Sequence, residues 1–230
     1  MTIDVYQLPV SGPCRAVLST ANYLGITVNK IQPDFLAGAV MKPEFLKMNP
    51  QHTVPTIDDD GFYLAESRAI QAYLVNKYSP NHPIYPEDSQ KRATIDRMLH
   101  FDIGTLYRAE LDYLIPQVYT GAAPDPEKLQ KFKDALSIFE ELLSRTAYAA
   151  GDHITLADIS MISNLTSTEV IDFDFSEFPK VSSWMQKMKG ELPDYHETHD
   201  VPIQELKERL KAKDLNVEEM LKRVKGEKKD

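Results

Sequence analysis

Over the first 80 positions the chain alternates short apolar strands with stretches of helical spacing, and beyond them strand patterning nearly vanishes. Ile3-Asp4-Val5-Tyr6-Gln7-Leu8 reads as a strand. Cys14, Val17, Leu18, Ala21 and Leu24 then recur at helical period, with Pro13 near the first helical position and Gly25 as the stop. A short strand is expected near 29–32, and an irregular segment with a weak helix runs through 42–52. Thr53-Val54-Pro55-Thr56-Ile57 reads as a strand entered through a proline. Asp58-Asp59-Asp60-Gly61 is expected to turn into the returning strand Phe62-Tyr63-Leu64. Glu66-Ser67-Arg68 opens a helix with Ile70, Tyr73, Leu74 and Tyr78 on its apolar face. The predicted order is β-α-β-α-β-β-α.

The break falls at Ser79-Pro80-Asn81-His82-Pro83 and Pro86. Beyond it, apolar residues at helical period predict helices near 88–119, 126–146, 155–171 and 178–190. Thr155-Leu156-Ala157-Asp158 is a relative of the capping box, and its role is structural. From Ile203 the apolar positions Ile203, Leu206 and Leu210, then Val217, Met220, Leu221 and Val224, describe an amphipathic segment ending in lysines. It suits a solvated or loosely docked tail, or a partner- or surface-binding helix. The boundaries are therefore 1–80 for an α/β domain, 81–87 for a linker, 88–202 for an all-α domain and 203–230 for a charged helical tail.

Composition narrows the partners. The 230 residues are 42% hydrophobic and 27% charged, as in ordinary globular proteins, and no apolar run approaches the ~20 residues of a membrane span. A net charge of -9 argues against nucleic acid as the main partner. The chain enters a strand at once, with no leader pattern. Its single cysteine permits no intrachain disulfide and points to a reducing, cytoplasmic compartment. The six histidines are scattered without ligand spacing, so no metal site is expected; His196 to Asp200 reads as a short exposed cluster. No Gly-rich phosphate loop is present.

The candidate chemistry lies at Ser11-Gly12-Pro13-Cys14. Thiol–disulfide oxidoreductases place two cysteines around a Gly-Pro pair at such a strand-to-helix corner, where the helix N-terminus stabilises a thiolate. Here serine holds the nucleophile position. Such a corner retains the means to stabilise a sulfur anion and has lost the means to make a disulfide, so the thiolate would come from a ligand. The competing reading of Ser11 is a plain N-cap. Cys14 sits at an apolar helical position and reads as packing. Val54-Pro55 reads either as a cis-proline facing that corner or as an ordinary strand entry. Glu66, Ser67 and Arg68 combine a helix N-terminus, a hydroxyl and a carboxylate, which suits a zwitterionic amino-acid end or simple capping. His52 is a possible carboxylate donor just before the proline.

These motifs together resemble a cytosolic glutathione transferase of the insect-type delta class, over roughly residues 1–200. The resemblance rests on Leu8-Pro9-x-Ser11-x-Pro13-Cys14-Arg15, Lys42-Pro43-Glu44-Phe45-Leu46, Asn49-Pro50-Gln51-His52-Thr53-Val54-Pro55, Glu66-Ser67-Arg68-Ala69-Ile70 and Ala149-Ala150-Gly151-Asp152 through Asp158. It implies a thioredoxin-like N-terminal domain joined to an all-α C-terminal domain, a homodimer, glutathione as co-substrate and no permanently bound cofactor. Ser11 would hydrogen-bond the glutathione sulfur. His52 would meet the glycyl end, Val54 with Pro55 the cysteinyl backbone, and Glu66 and Ser67, with Arg68 beside them, the γ-glutamyl end. An apolar electrophile would lie against the first long helix of the second domain, near Tyr107, Ile115 and Tyr119, with peroxide reduction or isomerisation as side activities. Two positions depart from the pattern: Val40 stands where many delta-class members carry a second histidine, and Glu110 where an aromatic is usual. Those departures support the alternative, a non-catalytic glutathione- or ligand-binding protein on the same scaffold.

Overall fold

A computed structural model describes residues 2–212. The first half builds a four-stranded sheet from β1 (Ile3–Tyr6), β2 (Val28–Ile31), β3 (Thr56–Asp59) and β4 (Phe62–Ala65), in the order β2-β1-β3-β4. β1 and β2 are parallel and joined through helix α1 (Gly12–Tyr23), while β3 runs antiparallel to β1 and β4. Alternation along β1 decides the layers. Ile3 and Val5 point to one face and bury against Val17, Leu18 and Ala21 of α1 and Ile70 and Leu74 of helix α3 (Ser67–Tyr78). Tyr6 points to the other face and meets Phe45 of the short helix α2 (Pro43–Met48), with ring centroids 5.6 Å apart.

Two local expectations shift by a few residues. The strand expected from Thr53 starts at Thr56, because Pro55, which follows a cis bond from Val54, has no N–H for the ladder. The turn expected over 58–61 is only Asp60-Gly61, since Asp59 still pairs with Phe62. Both turn residues have positive φ, 56° and 84°, the geometry whose twist suits a two-residue hairpin.

The second half is helical. The single helix expected over 88–119 is instead α4 (Ser89–Phe101) and α5 (Tyr107–Thr120), joined by a π-helical turn at Asp102–Leu106. The wide turn brings Asp102 into the interior, where a regular solvent-facing helix would not hold a carboxylate. Then come α6 (Pro126–Leu143), α7 (Leu156–Leu165) with a 3-10 extension at Thr166–Ile171, α8 (Pro179–Glu191) and α9 (Val201–Ala212). Their core gathers Met98, Leu106, Phe132, Phe139, Ile159 and Trp184. Buried Asp158 accepts the N–H and hydroxyl of Thr155, the N–H of Ala149 and the Trp184 indole N–H, which makes it a structural fastener as the capping-box spacing implied.

The segment expected as a charged tail from 203 begins inside α9. Ile203 and Leu206 are buried against Leu114, Val118 and Val170. Val217, Met220, Leu221, Val224 and the terminal lysines lie outside the described residues. The His196–Asp200 cluster is also less exposed than expected. It forms a π-helical turn in which His199 is buried, stacked on Tyr195 and bonded to the Ser163 hydroxyl at 2.9 Å. No helix among the described residues is long and apolar enough to cross a membrane.

Candidate active site

The corner after β1 is held by backbone and by α7. Ser11 N–H donates to the Leu8 carbonyl at 2.9 Å, and the Ser11 carbonyl accepts from Arg15 N–H at 3.0 Å. Ser11 occupies the N-cap position of α1 in extended conformation, yet its side chain caps no helix amide. The plain N-cap reading therefore loses its hydrogen bond. Gly12 is where α1 touches α7: a Cβ there would sit 2.6 Å from Asn164 Oδ1 and 3.0 Å from the Ser163 carbonyl oxygen. Cys14 is fully buried, and burial pushes its thiol up to about 11, with hydrogen bonds from Ser11 and Leu8 offsetting only part. A thiol held protonated in this way is inert, as the packing reading expected.

A cavity of about 240 Å³ opens beside this corner. Leu8, Val10, Ser11, Gly12 and Val54 line one side; Tyr107, Leu111, Leu114, Ile115, Val118 and Tyr119 of α5, Ser167 and Val170, and Ile203 and Leu206 of α9 line the other. The structure thus brings Ser11 and Val54 together with Tyr107, Ile115 and Tyr119. Tyr113, on the same helix, is buried in the helical core instead. The α5 period of three and four would have found Leu111, Leu114 and Val118 as well. Ser167 and Val170 carried no local signal, and Ile203 and Leu206 read only as one face of an amphipathic segment, because all four reach the cavity from segments far along the chain.

The remaining candidates flank Val54 without lining that cavity. The β3–β4 register pairs Thr56 with Ala65, so Pro55 and Glu66 lie at the same end of the hairpin. His52 and Glu66 both adopt positive φ, 48° and 68°, a costly backbone for residues other than glycine. Such outliers concentrate at binding sites. Glu66 is exposed at the start of α3, and Ser67 is buried in its first turn. Arg68 turns from that helix start into the domain boundary. It ion-pairs with Asp102, which also accepts from Ser160 Oγ at 2.8 Å and from Asn164 Nδ2 at 3.2 Å. The same guanidinium stands 5.7 Å from the ring centroid of Tyr107. Asp102 was not among the candidates; a carboxylate inside an apolar helical period was the signal available.

Val40 is buried in the turn Ala39–Met41 and offers no donor. Glu110 faces the interior and is absent from the cavity lining. Its carboxyl oxygens have no hydrogen-bond partner among the described residues, and burial, followed by the nearby Asp102 charge, raises its pKa well above the carboxylate range, with Arg15 acting the other way. Among the described residues no cluster of three or more His, Cys, Asp or Glu is placed to hold a metal ion.

Comparison with known proteins bears on the fold and the family. Residues 1–76 match the glutathione S-transferase N-terminal domain, and residues 98–191 match the glutathione S-transferase C-terminal domain. A delta-class glutathione transferase of Nilaparvata lugens is 39% identical, with a TM-score of 0.87 over 91% of this chain and 99% of that one. A Bombyx mori glutathione transferase is 40% identical, with a TM-score of 0.87 over 90% of this chain and 97% of that one. An epsilon-class enzyme of the housefly, Musca domestica, is 33% identical, with a TM-score of 0.83 over 93% of this chain and 99% of that one. Two matched domains in sequence, a thioredoxin-like sheet followed by a helical bundle, and full-length likeness to delta-class enzymes establish that this chain belongs to the glutathione S-transferase family.

Proposed function

We propose that this enzyme conjugates glutathione to apolar electrophiles, with Ser11 donating a hydrogen bond to the glutathione thiolate. The observation that carries the reading is the single cavity in which Ser11, at a helix N-terminus and free of capping duty, faces an apolar wall from α5 and α9. A free thiol with a pKa of ~8.5 is only a few per cent ionised at neutral pH. Lowering it by about two units requires about 2.7 kcal/mol. A hydrogen bond to a charged group contributes about 1.5–3 kcal/mol and the helix N-terminus about 0.3–1. Ser11 and the start of α1 together meet that requirement without a general base. The thiolate then attacks the electrophilic carbon of a compound held against Tyr107, Ile115 and Tyr119.

Glutathione itself would extend from Ser11 along the end of the β3–β4 hairpin. Val54 and Pro55 would pair with the cysteinyl backbone, Glu66 and Ser67 with the γ-glutamyl end, Arg68 would support that end, and His52 would meet the glycyl carboxylate. Val40 supplies nothing there, so the glycyl end rests on His52. The non-catalytic alternative drew on Val40 and Glu110, and Glu110 stands outside the cavity. A cytoplasmic homodimer, as the family resemblance implies, completes the reading.

The test is conjugation of glutathione to chlorodinitrobenzene from about pH 6 to 9, for the wild type and Ser11→Ala. Turnover whose apparent thiol pKa rises in the variant supports the reading. Glutathione binding without turnover favours the binding-protein alternative, and absence of both removes the assignment of this site.

A further inference from the structure

The hydroxyls between positions 160 and 168 are not equivalent. Ser160 donates to Asp102 Oδ2 at 2.8 Å. Ser163, Thr166 and Thr168 donate to the carbonyls of Ile159, Ile162 and Leu165 at 2.7, 2.6 and 2.7 Å. Ser167 differs. Its oxygen accepts from Arg15 Nη2 at 2.8 Å, while its own proton has no acceptor among the described residues, and the residue lines the cavity shared with Ser11.

Arg15 explains why that proton matters. The guanidinium is fully buried and makes no ion pair among the described residues. It donates to the carbonyls of Val10 at 3.1 Å and Ser163 at 2.6 Å, and to Ser167. The buried carboxyl of its neighbour Glu110 makes no hydrogen bond or ion pair to it. An arginine stays protonated, so the field of this buried cation reaches the cavity through Ser167 Oγ. A hydroxyl that accepts from a cation is a stronger donor, and a low-dielectric setting enlarges the effect.

We propose that Ser167, polarised by Arg15, donates a hydrogen bond to the carbonyl oxygen of α,β-unsaturated carbonyl electrophiles and so sets a preference for that substrate class. The proposal rests on the assignment of Ser11 to the glutathione sulfur. In the addition, the thiolate sulfur bonds to the β-carbon, the C=C π pair becomes the π bond between the α-carbon and the carbonyl carbon, and the C=O π pair moves onto the oxygen. Ser167 meets the enolate oxygen as its charge develops, which is where a fixed donor lowers the barrier. Water then protonates the α-carbon and gives the saturated carbonyl thioether. The hydroxide left behind is neutralised by the proton that glutathione released on ionising.

The test compares kcat/KM for an enone, 4-phenyl-3-buten-2-one, with that for benzyl chloride, which carries no carbonyl acceptor. Ser167→Ala is expected to lower the enone to benzyl chloride ratio by about tenfold or more, the size of one donor to a charged group. Ser167→Thr, which restores a hydroxyl, is expected to recover most of it. An unchanged ratio in Ser167→Ala overturns the proposal, because a merely structural role for Ser167 would move both substrates alike. A readout in the wild type needs no variant to fold: the ketone conjugate should compete with glutathione at least about fivefold better than its methylene analogue. Equal competition overturns the proposal. A wild type that converts benzyl chloride but no enone overturns it while leaving Ser11 in place. If Ser11→Ala leaves the bound thiol's ionisation unchanged, the underlying reading fails and takes this one with it.

Discussion

Arg68, at the start of α3, is paired with Asp102, in the π-helical turn between α4 and α5, with side chains 13% and 0% exposed. One residue belongs to the sheet half and the other to the helical half, so the pair links the two. Removing Arg68 leaves a buried carboxylate with only Ser160 and Asn164 as donors. Arg68→Met is expected to cost about 3–5 kcal/mol. Asp102→Asn, which removes the charge along with the ion pair, should cost less. Urea unfolding of both variants checks the order, and equal losses would mean the unpaired charge is not the cause.

Gly12 is the second link. An added methyl would meet the Asn164 side-chain oxygen at 2.6 Å and, at 3.0 Å, Asn164 Cα and the Ser163 carbonyl oxygen, backbone that cannot swing aside. Gly12→Ala is expected to lower stability by about 1–3 kcal/mol through overpacking. Because the Ser163 carbonyl also accepts from Arg15, activity should fall with it. Thermal unfolding and conjugation rates, measured together, test this; unaltered values would show that the contact between α1 and α7 yields to a methyl group.

Ser11→Ala separates function from stability. The hydroxyl caps no amide of α1, so unfolding should change by no more than about 0.5 kcal/mol. The pKa of bound glutathione should rise by about one to two units. Titration of thiolate absorbance in the enzyme–glutathione complex is the direct measurement.

Glu110 and His199 shape the pH dependence in opposite senses. Burial raises the folded pKa of Glu110, so the folded state holds a proton that the unfolded chain releases above the ordinary carboxylate range. Its presence costs stability as pH rises past that range, and Glu110→Gln should gain on the wild type over that window. Burial lowers the folded pKa of His199, so the unfolded chain binds the extra proton. Stability on its account is intact above the ordinary histidine value of ~6.5 and declines as pH falls below it. Urea midpoints from about pH 5 to 8 should therefore show a Glu110→Gln advantage that widens upward. An advantage independent of pH would mean that Glu110 is charged in the fold.

Much of this molecule was legible because its signals are local. Ser11, Pro13 and Gly25 bracket α1 within a few residues, and Val54-Pro55 announces a special peptide bond in the context of a matching corner. Tyr107, Ile115 and Tyr119 came from the family resemblance, which pointed to the first long helix of the second domain. Asp102 did not, since only the three-dimensional neighbourhood of Arg68, Ser160 and Asn164 makes a carboxylate tolerable there. Ser167 was silent, a serine in a polar run that meets Arg15 only when the chain folds back 152 residues, whereas Ile203 was legible as part of an amphipathic face whose partner the sequence left open. The positive φ of His52 and Glu66 was invisible because neither residue type favours that backbone on its own.

The bond from Arg15 to the Ser163 carbonyl spans 148 residues of sequence. At synthesis rates of about 5–20 residues per second, the first partner waits roughly 7–30 s for the second. Throughout that interval the face of α1 that will meet α7 is unoccupied. A leucine at position 15 would leave it an adhesive apolar surface on a half-made chain. A guanidinium keeps it hydrated, and gives up that hydration only when α7 arrives with carbonyl and hydroxyl oxygens to replace the water. The residue that closes the finished molecule thus also protects the unfinished one.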